Sequence, residues 1–488
     1  MRKGRIAWTL VAALISEAIN KIAPLLTLHL AATRLGVEAF GASQFALWIL
    51  EWGILLVAFG YPQSIPLAIR QARSTEEKRE IAGAVTAGRL MQAMIALIVI
   101  LVLLATVPGW AVYRPAIVAS SFILLTSAIE MSGLLLALQK NALVSLSMVA
   151  GKLASIAGIW WLVQSPEDSV AFVVITNGAN AVVGTCTFLL SWKILGLRLP
   201  RMTRVVESFN RAAPFAGATM LLVALERFDL AIVEHHLGST GAGWYSGPAR
   251  LVQSITPLIA AISAVFFSEM IAIFDTKELR RHLRVSLLAM MSILLPVTAG
   301  TWFAGAGILA LVFGSSFGSQ GPVLSIMILA CVAHGLILIA GFQMCALQQR
   351  IRPLFLALGA GLAAAILLGI PATAKWGLTG AAWSSVLGRW VAALIVTRSA
   401  MGGLDLRPYD FLEPAIKALI PTACMSAVVY AWQKAMGGGP SEDLANLGPL
   451  VLIGAVTYAL CFLATNRKDV SSLFTQLSQR GRRKAQIR

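Results

Sequence analysis

The sequence predicts an all-α, polytopic membrane protein of about fourteen transmembrane helices, arranged as two pseudo-twofold-related six-helix lobes plus two peripheral C-terminal helices. Three observations predict it. The 488 residues are 58% hydrophobic and only 12% charged, with a mean hydropathy of +0.79, whereas soluble domains carry about 25% charged residues. Apolar stretches long enough to cross a hydrocarbon core of roughly 30 Å, which takes about 20 residues of helix, recur along the whole chain. Basic residues collect on one side of the membrane once those stretches alternate in direction.

The first span, near 6–30, opens with "MRKGRIAWTLVAALISEAI", a basic start and an apolar run as in a signal peptide. Glu17, Asn20 and Lys21 continue the same helix without a small-residue cleavage site, so it is read as a retained span. Glu17 and Lys21 are an i,i+4 pair with the acid first, a structural arrangement. Spans two to six follow near 41–66, 82–106, 115–138, 142–164 and 170–192, giving an N-terminal lobe over 1–198. A basic linker, 199–211, leads to the second lobe at 212–400, with spans near 212–235, 242–273, 285–312, 321–347, 353–374 and 378–400. Two further spans, near 414–436 and 446–465, carry charge only toward their ends, at Lys417 and Lys434, and are expected at the periphery. The connections are too short to hold a soluble domain.

With the N-terminus in the cytoplasm, 28 of the 39 Lys and Arg residues fall in cytoplasmic segments, four in outer loops and seven inside spans. The net charge of +17 is therefore a topology signal and not a nucleic-acid footprint. The tail, 466–488, places Val470, Leu473, Phe474 and Leu477 at helical spacing before "RGRRK", a pattern suited to an anionic cytoplasmic leaflet. The five cysteines lie within spans and lack CxxC spacing. They read as small core residues, with no metal or cofactor implied.

An internal repeat accompanies the spans. "LGVEAFG" (35–41) and "LGSTGAG" (237–243) share the frame L-G-x4-G at an offset of 202, which also brings "TEEKREI" (75–81) over "KELRRHL" (277–283). Six spans per copy make the two copies run parallel, the arrangement of many transporters with a site between the halves.

The stretch "VALERFDLAIVEHH" (223–236) sets Glu226, Arg227, Asp229 and Glu234 inside span seven. On a helix at 100° per residue the four share an arc of about 160°. Leu221, Leu225, Phe228 and Ile232 form the opposite, lipid-facing stripe. Intramembrane charge costs at least ~2.5 kcal/mol per residue and marks function or a structural ion-pair network. Arg89, Lys152, Arg250 and Arg389 are cations without a partner on their own helix, and Glu51 and Glu130 are acids of the same kind. They are expected to line a central cavity. Pro24, Pro62, Pro66, Pro248 and Pro257, with Gly60 and Gly247, are expected to break spans one, two and eight and serve as gates. His235–His236 reads as a hydrated pair at the outer end of span seven.

The segments "ATRLGVEAFGASQFALWI", "ERFDLAIVEHHLGSTGAGWYSGPARL" and "KWGLTGAAWSSVLG" resemble polysaccharide flippases of the multidrug/oligosaccharidyl-lipid/polysaccharide exporter superfamily. Leu35, Gly36, Phe40 and Gly41 match its first repeated frame, Asp229 its late span-seven aspartate, and Tyr245 the aromatic that begins span eight. The resemblance covers about 1–400. It implies alternating access and a cationic cavity for a polyprenyl-pyrophosphate-linked oligosaccharide, with Arg89, Lys152, Arg250, Arg389 and Arg227 as binding candidates. A proton- or sodium-coupled drug antiporter of the same superfamily is the alternative, using Glu51, Glu130, Asp229 or Glu226 as the ion site. A membrane-embedded polymerase or ligase is disfavoured by short outer loops, of which "QSPEDS" (164–169) holds one of two adjacent-carboxylate pairs. ATP-driven pumping is disfavoured because "AGK" (150–152) lacks the upstream glycine of a phosphate-binding loop.

Overall fold

A computed structural model describes the backbone of residues 2–467 apart from 197, 199, 271–274, 348–350, 404–405 and 437–443, and most of the side chains from residue 22 onward in that range. The Glu17–Lys21 pair and the amphipathic tail stripe lie outside the described side chains. Every described regular element is helical, as expected of a chain that must satisfy its own backbone groups in lipid. Ten described stretches are long and apolar enough to cross a membrane, eleven when the bent pair Pro108–Ser120 and Phe122–Ala137 is taken as one. The protein is a multi-pass membrane protein.

Helices α1 (Arg2–Ala58), α2 (Tyr61–Gln71), α3 (Thr75–Thr106), α4 (Arg114–Ser120), α5 (Phe122–Ile129), α6 (Ser132–Ala137), α7 (Asn141–Leu162) and α8 (Ser169–Leu195) come first. They are followed by α9 (Met202–Arg227), α10 (Asp229–Met270), α11 (Thr276–Phe313), α12 (Gly321–Met327) and α13 (Leu329–Leu336). A π-helical turn at Ile337–Gln343 leads into α14 (Met344–Leu347), then α15 (Arg352–Gly403), α16 (Pro408–Ala435) and α17 (Leu444–Thr465). Three of the apolar stretches, Ile22–Gln71, Met202–Phe267 and Arg352–Gly402, hold 50, 66 and 51 residues. At 1.5 Å per residue each is more than twice the roughly 30 Å core. A glycine in a left-handed, non-helical conformation lies inside each, Gly36 (φ 73°, ψ 172°), Gly238 (φ 65°, ψ −167°) and Gly377 (φ 59°, ψ −137°), and the first stretch holds a second at Gly60 (φ 73°, ψ 3°). Glycine takes such angles at little steric cost, so these stretches turn there.

The chain divides into two compact units, Met1–Ser246 with Val312–Gly314, and Gly247–Leu311 with Ser315–Arg488. The helices that carry charged span seven therefore pack with the first unit. There, α1 packs on α3, α5, α7 and α8, while α9 packs on α2 and α3. A buried cluster of Tyr61, Ile65, Val85, Met131, Leu134 and Leu195 joins α2, α3, α6 and α8. The first turn of α3 is fixed by Ser74, whose side chain accepts the Glu77 N–H at 3.1 Å, the usual N-terminal cap. Its acids meet Arg198, just before the basic linker, through Arg198–Glu76, and the linker itself through Arg204–Glu80 at 3.7 Å. The hydrogen bond from Arg204 holds the Glu207 carboxyl below the usual range, against its partial burial. These pairs are exposed and worth about 1 kcal/mol or less each.

The two copies of the L-G-x4-G frame meet inside this unit. A Cβ on Gly41 would lie 1.9 Å from Ser239 O and 2.4 Å from Gly243 N, and one on Gly243 would lie 2.1 Å from Val37 O. At the offset of 202, Ser239 is the counterpart of Val37, and Gly243 of Gly41. The contact is thus reciprocal, as a twofold-related, self-complementary contact must be.

In the second unit, α12, α13 and the π-turn pack on α15. Gln343, at the end of the π-turn, donates from Nε2 to Ser263 O and Oγ, both at 2.5 Å. The two C-terminal helices dock on α11 through Ala304, Met425, Val429, Leu447 and Leu450. Asp410 is fully buried and accepts the Arg407 N–H and the Arg284 guanidinium. Burial opposes its charge, yet those donors hold its carboxyl below the usual range.

Candidate functional site

Two of the four span-seven charges, Arg227 and Glu234, are answered by partners on other elements of the first unit, and Asp229 by residues of its own helix. Arg227, the last residue of α9, forms an ion pair with Glu51 of α1. Its carbonyl oxygen accepts the Trp48 indole N–H at 2.8 Å. Glu226 adds a second negative charge to the surroundings of Arg227. Asp229 opens α10 and accepts the Tyr245 hydroxyl at 2.8 Å and the Leu230 N–H at 2.9 Å. Glu234 accepts the Tyr113 hydroxyl at 2.8 Å. Arg227 is thereby tied to α1, Glu234 to the turn before α4, and Asp229 to the later part of its own helix. The Arg227–Glu51 pair stays open to its surroundings, with side chains 28% and 31% exposed. The stripe expected to face lipid is corrected in part. Leu225 and Ile232 are buried, at 3% and 7% exposure, because span seven packs into the unit on that side as well.

A second polar centre is the break in span four. Between α5 and α6, Glu130 and Met131 leave the helix (Glu130 φ −62°, ψ 123°), and every backbone group so freed needs a new partner in a dry environment. Three side chains supply them. Arg89 of α3 donates to Glu130 O at 2.5 Å, Thr187 of α8 accepts the Met131 N–H at 3.2 Å, and the Glu130 carboxylate accepts the Ser132 N–H at 3.3 Å. The same carboxylate faces Arg89 Nη2 at 3.5 Å. Gly184 of α8 lets that helix approach, since a Cβ there would meet Thr126 O at 2.5 Å.

The expectation that the lone charges share one cavity is therefore revised for Arg89 and Glu130. Arg89 is 4% exposed and clamps the span-four break from inside the unit. Glu51 likewise has a cross-helix partner, Arg227. Among the described residues Lys152 is half-buried on α7 without a hydrogen bond or ion pair. In the second unit, Arg250 of α10 is half-buried and reaches Gln253 Oε1 at 3.3 Å, and Arg389 of α15 is 6% exposed.

The gate candidates divide as well. Span two is interrupted at Phe59 (φ 35°) and Gly60 (φ 73°), and Pro62 and Pro66 lie in α2 just beyond. Pro24 lies in the part of α1 before its turn at Gly36, and Gly247, Pro248 and Pro257 lie in the part of α10 after its turn at Gly238, so these positions can bend their helices but do not break them. His235 and His236 pack ring to ring at 5.0 Å, and among the described residues no group of three metal-ligating side chains exists. In "QSPEDS", Asp168 accepts the N–H groups of Gln164 and Ser165, both at 2.9 Å. The Gln164 bond first, then those from Ser165, hold its carboxyl below the usual range. Asp168 thereby closes the short 3-10 turn Pro166–Asp168 that leads into α8.

Sequence reasoning missed Trp48, Tyr113, Thr187, Tyr245 as the Asp229 donor, and Gln343. Trp48, Tyr113, Thr187 and Gln343 act across helices and Tyr245 bonds Asp229 from sixteen residues further along α10, whereas only the i,i+3/i+4 part of a helical environment can be read from spacing.

Comparison with known proteins places this architecture. The family described as "Polysaccharide biosynthesis protein" matches residues 9–272. A protein of Shigella dysenteriae named "Putative O-antigen transporter" is 23% identical over 315 residues, 64% of this chain and 78% of the relative. A second of that name, from Shigella flexneri, is 30% identical over 116 residues, 23% of this chain and 28% of the relative. Among solved structures, the lipid II flippase MurJ in an inward closed conformation superposes with a TM-score of 0.74 at 15% identity, covering 94% of this chain and all of that one. An inward-facing multidrug resistance MATE transporter gives 0.61 at 15% identity, covering 80% and 98%. At such identity these structures fix the fold, which is that of the MurJ and MATE proteins. The sequence match over more than half of the chain fixes the family: the protein belongs to the polysaccharide biosynthesis protein family.

Proposed function

We propose that the protein is a flippase that moves a polyprenyl-pyrophosphate-linked oligosaccharide from the cytoplasmic to the outer leaflet by alternating access, for assembly of a cell-surface polysaccharide, and that it is a transporter and not an enzyme. The family match carries this reading, supported by the MurJ-like fold and the O-antigen transporter relatives. The drug antiporter reading needs a carboxylate poised for a cation. Glu51, Glu130 and Asp229 instead each receive a guanidinium or hydroxyl from the protein. Lys152, Arg250 and Arg389 are the cations placed on the phosphate path, one on the first lobe and two on the second, with the lobes taken as 1–198 and 212–400. Cations suit a pyrophosphate, and Arg grips phosphate bidentately. Arg250→Ala and Arg389→Ala are each expected to lower export of lipid-linked glycan about tenfold or more, since a hydrogen bond to a charged group is worth roughly 1.5–3 kcal/mol. Arg→Lys should restore only part. The same transport assay, with proton and sodium gradients collapsed in turn, reads whether Glu51, Glu130, Asp229 or Glu226 couples an ion. Full export by the alanine variants, or export of cationic drugs alone, overturns the flippase.

The reading also places the chain in a bacterial inner membrane with both termini cytoplasmic and fourteen crossings, two in each of the three long helical stretches. In a background lacking the five native cysteines, a cysteine at Glu167 is expected to react with an impermeant thiol reagent added outside intact cells. One at Arg204 is expected to stay unlabelled, and its labelling would overturn the topology.

A further inference from the structure

The Arg227–Glu51 pair adjoins an aromatic wall that the transport reading leaves without a task. Phe45 stacks on Trp48 at 5.3 Å and touches Trp110 at 5.8 Å and Tyr113 at 4.9 Å; Trp48 meets Trp52 edge-on at 5.8 Å. Phe45, Trp48 and Trp52 recur at i, i+3 and i+7 on one face of α1, over about 10 Å of helix. The middle of the wall is buried, with Phe45 at 1%, Trp48 at 8% and Tyr113 at 4% exposure, while Trp52 and Trp110 are only partly covered. Trp48 also bonds the Arg227 carbonyl, so the wall fixes the height of the ion pair on span seven. Trp52 and Glu51 flank Trp48, and Arg227 completes the group.

This surface cannot be a lipid face. Glu51 and Arg227 keep nearly a third of their side chains uncovered, and charge open to hydrocarbon is costly. Nor does it suit pyrophosphate. The pair is neutral, and Glu226 beside Arg227 makes the local balance negative, so a concentrated anion gains nothing there. What fits is a neutral ligand with an apolar face and a rim of hydroxyls. Its C–H face would lie on an indole ring, a large rigid apolar surface with an electron-rich face. Its hydroxyls would donate to Glu51 and accept from the Arg227 fork. That is the chemistry of a pyranose ring.

We infer that Trp52, Glu51 and Arg227 form a saccharide subsite, which holds the sugar next to the carrier while separate cations hold the phosphates. The inference rests on the flippase reading and deepens it, moving Arg227 from the phosphate path to the sugar. The specificity it confers is for a ring with adjacent hydroxyls and not for a charged head group.

The test measures binding of three synthetic probes to the purified full-length protein in nanodiscs: undecaprenyl pyrophosphate alone, and the same carrier bearing one N-acetylglucosamine or one galactose. The wild-type protein is expected to bind at least one glycosylated probe about tenfold more tightly than the bare carrier, corresponding to about 1.4 kcal/mol. Trp52→Leu is expected to collapse that ratio toward one, and Trp52→Phe, which keeps an aromatic face, to retain most of it. A ratio unchanged in Trp52→Leu overturns the subsite. So does a wild-type protein that binds all three probes equally, and in both cases the flippase reading stands. A wild-type protein that binds none of the three overturns that reading and the subsite together. The ratio is read within each variant, so a partial loss of folded protein does not imitate the result.

Discussion

Gly41→Ala and Gly243→Ala are each expected to lower the thermal stability of the protein and its export activity sharply, although alanine is the better helix former. Replacing glycine by alanine inside a helix ordinarily stabilises by roughly 0.5–1 kcal/mol. At Gly41 the new methyl would sit 1.9 Å from Ser239 O, and at Gly243 it would sit 2.1 Å from Val37 O. Both obstacles are backbone atoms, so no rotamer change relieves them. Overpacking of this kind costs about 1–3 kcal/mol and occasionally more, and here the upper end applies because two main chains must separate. Gly178, inside α8, has nothing within 4 Å of its Cβ position, so Gly178→Ala should melt at or above the wild-type temperature. Melting of the three purified variants, read by loss of the monodisperse peak after heating, checks the sign. If Gly41→Ala and Gly178→Ala melt together, the two frames do not approach as described. Valine at 41 should enlarge the loss, since it adds two methyl groups against the same carbonyl.

That seam shows how much of the fold was legible. The frame L-G-x4-G and its offset of 202 were visible in the sequence, and both first glycines adopt the same left-handed turn. Spans followed from hydropathy because the bilayer imposes one length and one secondary structure. What spacing could not show is that the second glycines of the two frames touch. Nor could it show that the unit boundary falls at Ser246–Gly247, within α10, since a helix continues through it without any change of composition. The span-four break is another such case. No proline or glycine lies at Glu130–Met131, and the bend is held by Arg89 and Thr187 from elsewhere in the sequence.

The candidate site was legible in kind and not in pairing. Charge within a span is costly whatever its neighbours, so Glu51, Arg89, Glu130, Arg227, Arg250 and Arg389 stood out at once. Which charge answers which depends on helix packing, and a helical wheel carries no information about the opposite helix. Arg227 and Glu234 lie on one line of span seven, yet they are met by different segments, Glu51 of α1 and Tyr113 of an outer turn. The grouping of Trp110 and Tyr113 around Phe45 arises because the turn at Pro108–Tyr113 folds back over α1, which helical spacing along either segment does not reveal.

Exchange of the two charges, Glu51→Arg with Arg227→Glu, is expected to recover much of what either change alone destroys. Glu51→Arg places two guanidinium groups together in a partly covered site, and Arg227→Glu sets two carboxylates together beside Glu226. Breaking a fully buried pair costs about 3–5 kcal/mol. Exposure of about 30% on each side lowers that to roughly 2 kcal/mol, with like-charge repulsion added in these single variants. The Trp48 bond to the Arg227 carbonyl is made by the main chain and survives the exchange, so the two helices keep their register. A double-mutant cycle on thermal stability and on glycan export should therefore show a coupling of about 1.5 kcal/mol or more, well above the roughly 0.3–0.5 kcal/mol scatter of independent sites. Stability should recover further than export, because the reversed pair restores neutrality but presents the carboxylate and the guanidinium to a sugar from the wrong sides of Trp52. Additive losses would mean that Glu51 and Arg227 act separately. Recovery of export in full would mean that the pair locks the helices and takes no part in holding the glycan.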